Sequence, residues 1–165
     1  MLLYHGSNVI VDKPILLPAQ RGLDFGQGFY TTTNEIQAEA FARKVCNRTQ
    51  SDKGFVSIYD VPSMEELQSA LIVHIFPEPD ESWLDFVYEN RNDKYRGDRY
   101  DLVFGPVAND TIYRTFIAYE DGQLTKQETI ARLKVRKLYN QLTFCSKRAI
   151  AYLHYKDYQI IEREV

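Results

Sequence analysis

Cysteine is scarce in this chain, and its scarcity excludes two kinds of small protein. Only Cys46 and Cys145 occur, far apart in sequence and outside any Cys-x-x-Cys or Cys/His cluster. A disulfide scaffold needs more cysteines, and a structural zinc site needs four closely spaced ligands. The histidines, His5, His74 and His154, also lack the Glu-x-x-His and His-x-x-x-His spacings of metal enzymes. We therefore expect two reduced, buried thiols and no bound metal.

Long hydrophobic runs and a secretory leader are missing as well. The segment Met1-Leu2-Leu3-Tyr4-His5 has no basic residues followed by a long apolar stretch. No apolar run reaches the ~20 residues that span a bilayer. The sequence thus predicts a cytoplasmic protein that does not insert into a membrane.

Charge of one sign is not in excess. The chain has 20 Lys and Arg residues against 23 Asp and Glu residues, for a net charge of −3. This balance excludes the overall basic field that drives non-specific binding to nucleic acids. Bases outnumber acids between Thr125 and Arg148, where Glu128 is the single acid. That stretch is either a solvated helix face, the more common case, or a basic patch for a partner.

Three common catalytic motifs are also absent. No glycine-rich loop ends in Gly-Lys-Ser/Thr, no Gly-x-Gly-x-x-Gly joins a strand to a helix, and no serine lies in Gly-x-Ser-x-Gly. P-loop nucleotide hydrolysis, Rossmann-type dinucleotide binding and serine hydrolysis are therefore disfavoured.

What the sequence does contain is enough apolar material for one core. With 165 residues, of which 44% are hydrophobic, one domain would bury about two-thirds of the surface that the unfolded chain exposes. No repeat, low-complexity tract or linker divides the chain. A single domain over residues 1–165 is predicted.

Strand and helix patterns alternate irregularly along the chain. Without regular βαβ spacing, they favour an α+β fold over a doubly wound sheet. In the last strand, Tyr155, Tyr158 and Ile160 are predicted to face the core. The predicted strands or apolar runs cover residues 2–5, 29–33, 55–61, 70–76, 100–104, 139–144 and 155–164. Two helices are predicted to begin at the N-caps Asn34 and Ser63. Further helices are predicted over residues 80–90, 110–119, 125–138 and 146–153.

The tripeptide His5-Gly6-Ser7 lies where the first strand is predicted to end. A glycine there lets a ligand approach the main chain, and unpaired backbone N–H and C=O groups could clamp a planar carboxamide. His5 could hydrogen-bond a sugar hydroxyl at the same time. Taken alone, the tripeptide is more often an ordinary strand-terminal histidine followed by a Gly-Ser turn.

The segment Asp24-Phe25-Gly26-Gln27-Gly28-Phe29-Tyr30 is more specific. Two glycines between aromatic residues indicate a tight backbone path beside a flat group. Tyr30 is the best candidate to stack on such a group, with a contribution of about 1 kcal/mol beyond area burial. A plain hairpin turn is the competing interpretation.

Together with the alanine-rich helix that follows, these two segments resemble the His-Tyr-Glu class of ADP-ribosyltransferases, the diphtheria-toxin and poly-ADP-ribose-polymerase side of that superfamily. Nearly the whole chain resembles an uncharacterised bacterial family of small ADP-ribosyltransferase-like proteins. The resemblance implies a split mixed or antiparallel sheet flanked by helices. The resemblance also includes Trp83-Leu84-Asp85-Phe86-Val87, the run from Tyr100-Asp101-Leu102 to Ala108-Asn109-Asp110, and Gln141-Leu142-Thr143-Phe144.

The resemblance implies NAD as co-substrate and assigns roles to three residues. His5 would contact the ribose next to nicotinamide, the backbone of Gly6 would hold the carboxamide, and Tyr30 would stack on the ring. The third motif position falls on Gln141, so the implied catalytic residues are His5, Tyr30 and Gln141. The implied NAD-binding residues are His5, Gly6, Ser7, Phe25, Gly26, Gly28, Tyr30 and Thr31.

Gln141 stands where the resemblance implies a glutamate. An amide donates and accepts hydrogen bonds but takes up no proton at neutral pH. Synthesis of ADP-ribose chains is therefore disfavoured, and transfer of one ADP-ribose to a macromolecule is expected. NAD hydrolysis, and a catalytically inactive module that binds a partner through the cleft or the basic stretch, stay open as alternatives.

The segment from Phe104 to Asp110 is expected to border the cleft. Asn109 or Asp110 could recognise the acceptor, although Asn109 serves equally well as a helix N-cap. The acceptor, protein or nucleic acid, is not readable from the sequence. By analogy with small stand-alone members of the superfamily, the resemblance implies a toxin of a toxin–antitoxin or defence system, with an antitoxin or regulatory protein as partner.

Overall fold

The computed structural model describes residues 1–18, 22–107, 110–135 and 138–162. These residues form helices and a seven-stranded mixed sheet, which confirms the predicted α+β class. The strands are β1 (Leu2–Ser7), β2 (Phe29–Thr32), β3 (Lys53–Asp60), β4 (Val73–Ile75), β5 (Leu102–Pro106), β6 (Asn140–Phe144) and β7 (His154–Glu162).

The helices begin where capping side chains satisfy the first free N–H groups. Asn34 accepts a hydrogen bond from the Gln37 backbone, and Ser63 and Thr125 each form a capping box with the glutamate three residues later. The helices are α1 (Glu35–Thr49), α2 (Met64–Ala70), α3 (Glu81–Arg91), α4 (Asp110–Glu120), α5 (Lys126–Lys134) and α6 (Lys147–Ile150).

The strand order across the sheet is β4-β5-β6-β2-β1-β3-β7. Only β4 and β5 run parallel; the other neighbours are antiparallel. β1 pairs with β3 along its whole length, from Leu2 opposite Asp60 to Ser7 opposite Phe55. With β2 it is in register at one pair alone, Tyr4 opposite Thr32. The sheet is therefore weakly joined at its centre.

Side chains alternate between the two faces along each strand. Each face of this sheet presents apolar side chains, and helices pack on both. On the first face, Leu3, Phe29 and Leu142 pack with Leu67 of α2 and Ala149 of α6. The second face is covered in two places. Helix α1 lies over β1 and β3, and α3, α4 and α5 form an aromatic-rich cluster with Val103 of β5.

Helix α1 lies unusually close to β1 because the contact residues are small. A Cβ atom on Gly6 would lie 2.1 Å from the Ala38 carbonyl oxygen and 2.8 Å from the Ala42 nitrogen, both backbone atoms. Ala38 and Ala42 are themselves fully buried against this strand. Only glycine fits at position 6, so the close approach fixes the height of α1 above the sheet.

Several predicted boundaries are wrong. The 70–76 run is divided between the end of α2 and the short strand β4, and the last two helices end earlier than predicted. The strand predicted to end at Phe104 continues through Gly105 and ends at Pro106, the last residue of β5. Proline is tolerated there because β4 stops at Ile75, opposite Phe104, so the missing N–H of Pro106 faces no strand on that side.

The orientation predicted for the last strand is also wrong. Tyr155, Tyr158 and Ile160 are 37%, 41% and 48% exposed, and Ile161 is buried instead. A β-bulge opposite Ile58 and Tyr59 places the three side chains on the first face of the edge strand β7. Helix α1 covers the other face, where Ile161 packs.

Both cysteines are free thiols: Cys46 is buried and Cys145 half-buried. Among the described residues, no helix combines the length and the apolar character that crossing a membrane requires.

Substitution Gly6→Ala tests the contact between α1 and β1. The new methyl group would overlap helix backbone that cannot rotate away, so we expect a loss of roughly 3 kcal/mol of unfolding free energy. For a chain of this size that loss lowers the melting temperature by roughly 10 °C. Gly54→Ala is the comparison variant, because its Cβ would lie 3.2 Å from the Ala42 Cβ, the Ala42 oxygen and Cys46 Sγ, a milder overlap that needs only a small shift. Equal losses in the two variants would contradict the packing argument.

Candidate functional site

The opening between β1 and β2 is bridged by one side chain. If the register continued beyond Tyr4 and Thr32, Gly6 would face Tyr30, but these two residues are not paired. Instead, His5 Nδ1 lies 2.7 Å from the Tyr30 carbonyl oxygen. A carbonyl only accepts, so Nδ1 carries the hydrogen, and Nε2 of the neutral ring keeps a lone pair for another donor.

The surroundings of His5 keep its ring neutral. The imidazole packs on Phe29, with ring centroids 4.3 Å apart. Burial lowers the pKa of His5 below its ordinary value and outweighs the opposite effect of the bond to Tyr30. At neutral pH, His5 is therefore an oriented hydrogen-bond acceptor at the opening.

Tyr30 has two roles in the structure. Its ring lies on the second face and packs, half-buried, against the aromatic-rich cluster. Its hydroxyl donates to the Gly26 carbonyl at 2.6 Å and accepts from the Phe25 amide at 3.0 Å. Burial raises the pKa of Tyr30 well above its ordinary value, so the phenol stays protonated. The hydroxyl thus holds the glycine turn against the strand that follows it.

Helix α3 anchors the same turn from outside. Gly26 has a φ of +76°, a conformation that favours glycine, and a Cβ there would come within 2.7 Å of Asn90 Oδ1. Asp24 forms an ion pair with Arg91 at 3.2 Å, and Arg91 also lies over the Phe116 ring. Contacts with α3 therefore fix the tight backbone turn that the sequence predicts at Gly26.

Gln141 is the second residue of β6, in the middle of the second face. Its neighbours in the same row are Thr32 of β2 and Gly105 of β5. The side chain is only 6% exposed, and its amide nitrogen Nε2 is buried without a hydrogen-bond partner. Such an orphan donor costs about 1–3 kcal/mol, so it indicates a position where a ligand or water atom is needed.

A second orphan atom lies one row away. Thr143 is fully buried opposite Tyr30 and Val103, and its Oγ1 has no partner. We call Tyr30, Thr32, Gln141 and Thr143 the central strip; these four second-face residues of β2 and β6 lie between α1 and the aromatic-rich cluster.

Thr32 is a site residue that the sequence interpretation missed. Its Oγ1 lies 2.7 Å from Gln37 Oε1 and 3.1 Å from the Asn140 carbonyl, and accepts from the Asn34 amide at 3.0 Å. It therefore joins the start of α1 to the start of β6, beside Gln141. Strand alternation was the available signal, because Tyr30 and Thr32 must share a face.

Four other predicted NAD-binding residues lie in less open positions. Phe25 is buried against Phe76 and Phe86, and the methyl group of Thr143 lies close to Gly28. Ser7 Oγ accepts from the Val9 amide at 3.4 Å, at the end of β1. Thr31 lies on the opposite face from Tyr30, and its hydroxyl donates to the Leu142 carbonyl. The structure does not bring Thr31 together with Gln141.

The predicted acceptor-binding residues fall outside what the structure describes. Asn109 lies outside the described residues. Asp110 is the first residue of α4, and its side chain lies outside the described part of the structure.

The basic stretch is partly neutralised by ion pairs. Lys126 lies 2.7 Å from Asp85, Lys134 lies 3.7 Å from Glu78, and Arg148 lies 3.1 Å from Asp101. These pairs favour the interpretation of the stretch as a solvated, ion-paired surface.

Other candidate sites were sought in the described parts of the chain. No group of three or more His, Cys, Asp or Glu residues there could hold a metal ion. A surface depression at the β3–β7 end of the sheet includes none of the predicted site residues. It is lined by Asp60, Val61, Pro62, Glu66 and His154.

Fold and site together define an α+β protein with a neutral polar strip beside an opening in its sheet. A family model described as "Protein of unknown function (DUF3990)" matches residues 1–155. The chain belongs to that family, and all residues of the central strip lie inside the match. No curated protein and no solved structure was found to match the chain.

Substitution Tyr30→Phe separates the hydroxyl of this residue from its ring. The ring would stay in the aromatic-rich cluster, but the Phe25 amide and Gly26 carbonyl would lose their partner, at a cost of about 1–3 kcal/mol. Amide hydrogen exchange should show lost protection at Phe25 and unchanged protection in β3. Retained protection at Phe25 would mean that the hydroxyl does not hold the turn.

The pKa of His5 predicts a pH dependence of stability. Because burial lowers its pKa in the folded state, the unfolded chain binds more protons as the pH falls below about 6.5. Stability should therefore fall below that pH and be unaffected by His5 above it. In chemical denaturation at a series of pH values, His5→Asn should flatten this decline. Parallel pH curves for the two proteins would contradict a buried, neutral His5.

Proposed function

We propose that the protein is a mono-ADP-ribosyltransferase that transfers one ADP-ribose from NAD to a macromolecular acceptor and releases nicotinamide. The observation that carries the proposal is the buried, unpartnered amide of Gln141 in the central strip beside the sheet opening. A buried donor without a partner needs a ligand atom, and a polar sugar offers several. The sequence resemblance supplies the identity of the ligand.

The three motif residues have geometries suited to the proposed roles. Gly6 lies in the part of β1 that does not pair with β2, and the backbone of α1 packs directly against it. Tyr30 offers a half-buried ring held in place by its own hydroxyl. His5 presents Nε2 as an acceptor, which suits a ribose hydroxyl. The His5–Tyr30 bond joins β1 and β2 across the opening, while the imidazole packs on Phe29 of the first face and the Tyr30 ring packs on the second.

The proposed reaction requires a site that stabilises positive charge on the sugar and orients the sugar. When the bond between nicotinamide and ribose breaks, positive charge develops on the sugar, so the site must hold the sugar and shield it from water. In this proposal Gln141 Nε2 donates to a ribose hydroxyl oxygen. Its neutral amide orients the sugar without adding a base.

Titration calorimetry with NAD tests binding, and chromatographic assay of nicotinamide release with a bacterial lysate tests the reaction. Tyr30→Ala should weaken NAD binding about fivefold to tenfold, because it removes a stacking contact of about 1 kcal/mol. Gln141→Ala should reduce nicotinamide release more than it reduces binding. Tyr158→Ala is the matched control, because this exposed tyrosine lies on the edge strand β7 and should leave both unchanged.

Each failure points to a different function. NAD binding without nicotinamide release would indicate an inactive binding module, and release of free ADP-ribose without a labelled acceptor would indicate an NAD glycohydrolase. The absence of both binding and release would rule out the proposal.

A further inference from the structure

Strand β7 is the longer of the two edges of the sheet. It has nine residues, against three in β4 at the opposite edge, and it contains neither proline nor glycine. An edge strand presents unpaired N–H and C=O groups, so proteins usually shorten or interrupt such edges to prevent pairing with another chain. The bulge interrupts β7 only near its start, at Lys156, and residues 157–162 pair regularly with β3. Most of β7 is therefore an intact template for one more strand.

The first face carries exposed apolar side chains at this edge. Tyr158 and Ile160 of β7 are 41% and 48% exposed. Phe55 of β3 lies directly opposite Ile160 and is half-buried, with its ring centroid 6.2 Å from that of Tyr158. The three side chains form an apolar patch that reaches the open edge of the sheet. Such a patch is typical of a surface that another protein chain covers.

One contact indicates which backbone groups of β7 face outward. The Tyr158 amide donates to the Asp157 carboxylate at 2.8 Å, so this N–H points away from β3. Along an antiparallel strand, every second residue directs its N–H and C=O to the same side. Ile160 and Glu162 therefore direct theirs outward as well. An added antiparallel strand would bond to Tyr158 and Ile160, and one of its carbonyl groups would replace Asp157 at the Tyr158 amide.

We propose that the strand added at this edge is β7 of a second copy of the chain, in an antiparallel pair centred on Gln159. In that register Tyr158 of each copy lies opposite Ile160 of the other, so the outward-facing residues exchange backbone hydrogen bonds. Charge complementarity favours a second copy as the occupant, because Lys156 of each copy lies opposite Glu162 of the other. The two sheets would join into one across a two-fold axis.

The same register joins the two apolar patches. Each Ile160 would lie between Phe55 of its own copy and Tyr158 of the other, and such aromatic–aliphatic pairs stabilise neighbouring strands. A shift of one residue would instead set Tyr158 opposite Ile161, which packs under α1 on the second face. The edge is separated from β2 by β1 and β3, so the inference does not rest on the function proposed above.

Sedimentation of the full chain from micromolar to millimolar concentration tests the pairing. We expect a reversible equilibrium between monomer and dimer, because the contact is small. Ile160→Lys places an ammonium group in each apolar patch, so it should raise the dissociation constant by about tenfold or more. Val135→Lys is the matched control. Val135 ends α5, outside β7, and is 83% exposed, so this variant should associate as the wild type does.

An exchange of charges tests the register. Lys156→Glu and Glu162→Lys each set like charges opposite one another, so each should weaken the dimer severalfold. The double variant restores both pairs at unchanged net charge, so its dimer should be as stable as that of the wild type. Glu162 also lies 3.9 Å from Lys53, an exposed contact of little weight. In hydrogen exchange, protection of the Ile160 amide should rise with protein concentration.

Three outcomes overturn the inference. A chain that stays monomeric at millimolar concentration excludes the second copy, whether or not a different protein binds β7. A dimer that Ile160→Lys leaves intact uses another surface. A double charge variant that associates no better than the single variants contradicts the antiparallel register. If Ile160→Lys fails to fold, the charge variants decide alone, because the side chains of Lys156 and Glu162 are exposed.

Discussion

The hydrogen bond from His5 to the Tyr30 carbonyl is the constraint on which the site depends. On one side of it lie β1, β3 and β7 with α1; on the other lie β2, β6, β5 and β4 with α3, α4 and α5. Backbone register joins the two halves at one pair only, Tyr4 and Thr32. A side chain therefore sets the width of the opening that continuous backbone pairing would close. The same bond fixes the tautomer of His5 and the direction in which its free nitrogen points.

Packing supports this arrangement at the expense of stability. Close contact between α1 and Gly6 holds the helix over β1. Gln141 Nε2 and Thr143 Oγ1 are left buried without partners, each at a cost of about 1–3 kcal/mol. Ordinary core positions avoid such atoms, and their concentration in one strip is what a ligand-binding surface requires.

Local features of the fold could be predicted from the sequence, and features that depend on neighbouring strands could not. The Asn34 cap and the buried face of α3 with Trp83 follow from short-range chemistry. Pro106 fits at the end of β5 because β4 ends early, and Tyr155 shares a face with Tyr158 because a bulge lies between them in β7. Of the candidate site, the resemblance named Tyr30 and Gln141, which the structure brings onto one face of β2 and β6. It missed Thr32, whose importance arises from contacts with α1 and β6.

The neutrality of Gln141 is a physical property of the site as well as a departure from the resemblance. A carboxylate this deeply buried without a cation would have its pKa raised by desolvation, and its charge would then vary with conditions. An amide keeps its donor and its neutrality at every physiological pH. The strip therefore keeps the same hydrogen-bonding character throughout that range.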